Sequence, residues 1–198
     1  MNPADETEPD APRDSSSARV QTAWRALVLV YFLITAVGHL RDPEKWSLIS
    51  GMILGTHELG HVVFSPFSEW WTVAGGSILQ IVAPIIVAIV LARQKEWIGV
   101  AIAGCWLAIS LANMAVYVAD ASKGDLNLVS IGGGDDVTHD WTYLLDHANL
   151  IRSDQLIAAR IRGVAWLTLA LSFACGFWYS LTGLTSAPSS TSSPAEPT

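Results

Sequence analysis

Five apolar stretches of near-spanning length, tryptophans at their borders and a charged fraction of only 15% predict an all-α fold, a polytopic membrane helix bundle between disordered tails. Hydrophobic residues make up 51% of the 198, and the acidic surplus behind the net charge of −7 is concentrated in tails and loops. That is the composition of a chain solvated by lipid rather than one folded around a water-soluble core. No Lys/Arg run interleaves with aromatics, so the expected partner is the bilayer and no nucleic-acid partner is expected.

Residues 1–21 are rich in Asp, Glu, Pro and Ser and lack a basic stretch followed by a short apolar core. They read as a disordered acidic tail and not as a signal peptide. The membrane bundle is expected over residues 22–184. Its apolar segments are Thr22 to Leu40, Trp46 to Phe67, Thr72 to Ala92, Trp97 to Ala119 and Val164 to Gly183, each near the roughly 20 residues a spanning helix needs. Trp24, Trp46, Trp70, Trp71 and Trp97 lie near starts and Trp178 near an end, as an interfacial aromatic belt requires. Gly51, Gly55 and Gly60 weaken the second segment and Ser65-Pro66 closes it, so it is expected to be short or re-entrant. Residues 185–198, almost all Ser, Thr, Pro and Ala, form a second disordered tail.

Between the fourth and fifth segments lies the one long loop, 120–163, with the run Gly132 to Gly134 as a flexible linker or hinge. From Asp140 to Ile151 the apolar residues Trp141, Leu144, Leu145, Ala148 and Ile151 recur at helical spacing, which predicts an interfacial helix. Ser153 and Asp154 offer N-cap chemistry to the helix that follows. If five spans alternate, Arg13, Arg19, Arg25, Lys123, Arg152, Arg160 and Arg162 share a face against Arg41, Lys45, Arg93 and Lys95. That balance slightly favours a cytoplasmic N-terminus and long loop, in a bacterial inner membrane. Cys105 and Cys175 lie in apolar segments and are expected to pack as small hydrophobes.

The second segment contains His57-Glu58-Leu59-Gly60-His61. On a helix the first and fifth of these share a face about one turn apart, where two imidazoles can bind one Zn²⁺, and Glu58 lies beside them as general base for a metal-activated water. Ionisable groups at membrane depth are costly and commonly mark a functional site. A catalytic zinc usually has three protein ligands. The third is expected from Asp120, which closes the fourth span, or from His139 in the loop, with Asp140 as a supporting carboxylate. The competing reading has Asp120 capping the loop and His139-Asp140 merely beginning the surface helix. Gln80 and Asn113 fall at the depth of His57, and Tyr117 shares a face with Asn113. These three suit either hydrogen bonds to a developing oxyanion or ordinary interhelical bonding. His39 and His147 read as structural or interfacial.

With the motif placed in an apolar segment, the chain resembles the site-2 protease type of intramembrane zinc peptidase over residues 46 to 120. The matching features are the histidine–glutamate motif, the stretch Ala74-Gly75-Gly76-Ser77 and the polar, proline-bearing span from Gln80 to Pro84. It is also similar to small bacterial membrane proteins that carry this motif, an Asp-Ala pair closing a later span (Asp120-Ala121) and a His-Asp-Trp in the next loop. The resemblance implies zinc held by two histidines and an aspartate, Glu58 as base and a membrane-spanning helix as substrate. Here Ala121 follows the aspartate where that family usually has glycine, and no PDZ-like insertion is present. The competing function classes are a zinc-binding membrane protein without peptidase activity and a small transporter, the latter disfavoured by the absence of an internal repeat.

Overall fold

The computed structural model describes residues 15–42, 45, 47–126 and 139–185. The expected linker Gly132 to Gly134 and Trp46 lie outside these residues, as do 1–14 and 186–198 of the two expected tails. Regular structure among the described residues is helical throughout: α1 (Ser15–Arg41), α2 (Leu48–Phe64), α3 (Glu69–Arg93), α4 (Trp97–Ala119), α5 (Asp140–His147), a 3₁₀ turn (Ile151–Ser153) and α6 (Asp154–Thr185). Within α1, α3, α4 and α6 lie stretches long and apolar enough to cross a membrane. This bears out the all-α membrane bundle.

Local chemistry sets the boundaries. Ser47 caps α2 by accepting from the Ser50 amide, and the Ser50 hydroxyl accepts from the Ser47 amide. His39 at the end of α1 is buried, with Nε2 2.8 Å from the Ser47 hydroxyl, which ties the α1 end to this cap. Ser65-Pro66 stops α2, and α3 follows after a four-residue turn. The α3–α4 turn closes through Lys95 in the left-handed region (φ 59°). Asn149 (φ 57°) ends α5 in the same conformation, which Asn tolerates well. α6 begins ten residues before the expected Val164, because Asp154 accepts from the Gln155 amide and from Ser122 and because Ala158 is buried against Val118, Ala121 and Leu145. Its polar first turns therefore have a protein surface to pack on and need no lipid.

The core is made by α4, flanked by α6, α1 and α3. Ala36 and Leu40 of α1, Ile49 and Ile53 of α2, Cys105 to Ala112 of α4, and Ala165 and Leu169 of α6 form its apolar centre. α2 lies mainly on α3 and leaves Leu59, Val62 and Val63 exposed. At 17 residues α2 is about 26 Å long, short of the roughly 30 Å hydrocarbon core.

Helix directions correct the expectation of strict alternation. Arg25 of α1 pairs with Glu96 at the start of α4 (3.4 Å), and Leu29 lies beside Ala101 and Gly176, so α1 runs alongside α4 in the same sense. α2 is antiparallel to α3, and α3 to α4, so α1 and α2 also share a sense. The α2–α3 turn and the end of α1 therefore lie toward the end of the bundle at which α4 finishes. Arg19, Arg25, Arg93 and Lys95 fall on one face and Arg41, Lys45, Lys123, Arg152, Arg160 and Arg162 on the other. This division places the start of α1 opposite the long loop, so the two do not share a side. Single cysteines in a background lacking Cys105 and Cys175 test it with an impermeant thiol reagent on oriented vesicles. Val20→Cys and Lys95→Cys are expected to label from one side and Lys123→Cys from the other; alternation of five spans would instead pair Val20→Cys with Lys123→Cys.

Candidate metal centre

The site is built where α2 crosses α3 at glycines. A Cβ at Gly60 would strike the Gly75 carbonyl, and one at Gly75 would lie 2.7 Å from the Gly60 carbonyl oxygen and 2.8 Å from Phe64 Cβ, so the two backbones touch. One residue on, a Cβ at Gly76 would lie 2.6 Å from His61 Nε2 and 2.7 Å from His57 Nε2. The glycines bring both motif imidazoles against the α3 backbone and keep the space in front of their Nε2 atoms clear.

Each imidazole is fixed through its other nitrogen. Gln80 of α3 donates from Nε2 to the Ser110 carbonyl of α4 (2.9 Å). That orients its amide so that Oε1 accepts from His57 Nδ1 (3.0 Å). His61 Nδ1 donates to the Thr72 carbonyl (2.9 Å), which can only accept. Nδ1 is thus engaged in both rings, and both Nε2 atoms face the same space in front of Gly76.

Both Nε2 atoms meet a carboxylate. Asp140, first residue of α5, places Oδ2 3.0 Å from His57 Nε2 and 3.2 Å from His61 Nε2. A carboxylate oxygen within bonding distance of two imidazole nitrogens in a buried site shares a cation with them, either a proton on an Nε2 or a metal ion bound by all three. Ligand atoms of a tetrahedral zinc site, about 2.0–2.2 Å from the ion, are roughly 3.4 Å apart, close to the spacing seen here. His57, His61 and Asp140 thus form a group that could hold a metal ion. Burial pushes the Asp140 carboxyl up, and hydrogen bonds from His57 and His61 bring it below its ordinary value.

Asp140 is placed by ties to two helices. Its amide donates to the Tyr117 hydroxyl (3.2 Å), Trp141 Nε1 donates to Ser77 (3.1 Å) and Thr142 Oγ1 donates to the Ala121 carbonyl (2.6 Å). α5 buries Asp140, Leu144 and Leu145 against the bundle, so the surface helix that the spacing predicts is instead a plug over the site.

The structure brings together His57 and His61 and turns the two expected third ligands toward each other. Asp120 accepts from the amides of Asp125 (2.9 Å) and Leu126 (3.0 Å) and faces His139 Nε2 at 3.4 Å, an ion-pair distance without hydrogen-bond geometry. His139 Nδ1 accepts from the Thr142 amide (3.3 Å) and so caps α5. Neither belongs to the cluster, and the carboxylate next to His139 completes it. Both had paired alternatives in the sequence, and the capping alternative is the one seen. Glu58 is half-buried, its charge acts on His61 and Tyr117, and it makes no hydrogen bond or ion pair with any described residue. Asn113 is exposed one turn below Tyr117, while His147 stacks on Tyr143 away from the centre.

Gly76→Ala should abolish or strongly weaken metal uptake although alanine improves helix propensity by about 1 kcal/mol. Gln80→Leu should weaken metal affinity about 10- to 100-fold by releasing the His57 tautomer. Competition titration with a chromogenic chelator measures both, and unchanged affinity in Gly76→Ala would show that the metal does not occupy this space. No family model, curated protein or solved structure matches the chain.

Proposed function

We propose that the chain is a zinc-dependent intramembrane endopeptidase that hydrolyses peptide bonds of membrane-protein substrates. The convergence of His57 Nε2, His61 Nε2 and Asp140 Oδ2, beside a Glu58 carboxylate that pairs with no described residue, is the observation that carries this reading. The nitrogen–nitrogen–oxygen donor set suits zinc, and two neutral imidazoles with one carboxylate leave a further position open. The likeness of the motif to site-2 type peptidases supports the same reading, with the ligand carboxylate supplied by α5 instead of the residue closing α4.

Zinc in this donor set supplies Lewis acidity toward a carbonyl oxygen and lowers the pKa of a water. Glu58 takes a proton from that water as its oxygen adds to the peptide carbonyl carbon, then delivers the proton to the amine nitrogen as the C–N bond breaks. Gln80 and the Thr72 carbonyl hold Nδ1 of the two imidazoles, leaving each Nε2 for the metal. A substrate helix must open locally to present its carbonyl, because helical backbone groups are already bonded. Water reaches the site from the face that carries α5 and the α2–α3 turn.

Elemental mass spectrometry of the detergent-purified protein should find about one zinc per chain. His57→Ala and Asp140→Ala should lose it, Asp120→Ala should keep it, and Glu58→Gln should keep it while losing at least about 100-fold in cleavage of reconstituted transmembrane-helix substrates. Zinc lost in Asp120→Ala but kept in Asp140→Ala would overturn the ligand assignment. Zinc in wild type and in Glu58→Gln with no cleavage by either would leave a non-proteolytic zinc-binding membrane protein.

A further inference from the structure

We propose that the Tyr117 hydroxyl is a catalytic hydrogen-bond donor, aimed at the negative charge that develops on the carbonyl oxygen attacked at this centre; the inference rests on the peptidase reading. Addition of water to a peptide carbonyl turns its oxygen into an oxyanion, and a fixed donor in a water-poor site stabilises that charge well beyond its effect in water. Several donors around the centre are already used. Gln80 uses both ends of its amide, and His57 and His61 donate through Nδ1 away from the metal position, whereas Ser110 Oγ and His139 Nε2 are buried without a hydrogen-bond partner among the described residues and neither is bonded to Asp140. Trp141 Nε1 is bound to Ser77.

Tyr117 differs. Its oxygen accepts from the Asp140 amide at 3.2 Å, its ring lies 6.0 Å from that of His57 and 4.3 Å from that of His139, and its own O–H donates to no described group. A phenol that accepts one bond and gives none has a proton available for a ligand. Acceptance from the Asp140 amide ties the hydroxyl to the residue that would supply the third metal ligand. The hydroxyl is thus registered to the metal position through one residue, and Glu58, the proposed base, acts on Tyr117 from α2. The arrangement separates two tasks: a carboxylate that moves a proton and a phenol that holds charge without moving one.

The test reads ligand binding and needs no natural substrate. The detergent-purified, metal-free protein is loaded with Co²⁺, whose visible spectrum reports its coordination, and titrated with acetohydroxamate, an anionic oxygen ligand. Wild type and Tyr117→Phe should take up cobalt equally, and Tyr117→Phe should bind acetohydroxamate at least about tenfold more weakly, the loss of one hydrogen bond to a charged group. A variant carrying 3,5-difluorotyrosine at position 117 keeps the oxygen and strengthens the donor, and should bind the probe more tightly than wild type. Equal probe affinity in all three cobalt-loaded proteins would overturn the proposal. Failure of Tyr117→Phe to take up cobalt, with no tightening in the fluorinated protein, would also overturn it, because the hydroxyl would then serve only to hold Asp140. Failure of wild type to take up any cobalt would defeat the metal reading itself.

Discussion

The backbone contact between α2 and α3 is the constraint on which the centre depends. Two helices of ordinary composition pack about 8–10 Å apart, too far for a histidine pair on one to be held by main-chain carbonyls of the other. Gly60 and Gly75 remove that separation, and the Thr72 carbonyl and Gln80 then come within bonding distance of His61 and His57. Each glycine costs about 1 kcal/mol of helix propensity relative to alanine. In lipid, where helices gain no hydrophobic drive to associate, close backbone packing is what offsets this.

The third ligand solves a different problem. A carboxylate deep in a bundle must be carried by a span and desolvated, whereas one on a short helix can be inserted from the interface, where water still reaches it. α5 does this with Asp140 at its first turn. Asp120 and His139 are used otherwise: Asp120 gathers the amides of Asp125 and Leu126 at the end of α4, and His139 caps α5.

Much of the fold was legible because lipid imposes a simple rule: long apolar runs bounded by tryptophans become helices. α4 matches its apolar run from Trp97 to Ala119 end to end. α6 does not, because its first turns are polar and pack on α4 through Ala158 and Gln155, a tertiary contact invisible to hydropathy. The depth match of His57 and Gln80 was also readable, since counting residues along antiparallel helices measures distance directly. The carboxylate ligand was not. Asp120, His139 and Asp140 are all acidic or imidazole groups near one interface, and which of them faces the histidines depends on the phase of α5, fixed by the ties of Asp140 to Tyr117, Trp141 to Ser77 and Thr142 to Ala121. No local pattern in the sequence encodes those three contacts.

The short length of α2 belongs to the same logic. A helix that crossed fully would place its central residues farthest from water, where a free glutamate is most costly and a hydrolytic water hardest to supply. Because α2 ends on the face that carries α5, His57 is buried beside Gln80 and Ser110 while His61, one turn on, lies near the α2–α3 turn. Glu58 sits at the same level as His57 and only half-buried. The motif thus spans a gradient within a single turn: its first histidine is anchored in the dry interior, and its second opens toward the interface. Chemistry that needs both a desolvated electrostatic site and a supply of water can be housed there, and a centre in the middle of a spanning helix would have the first without the second.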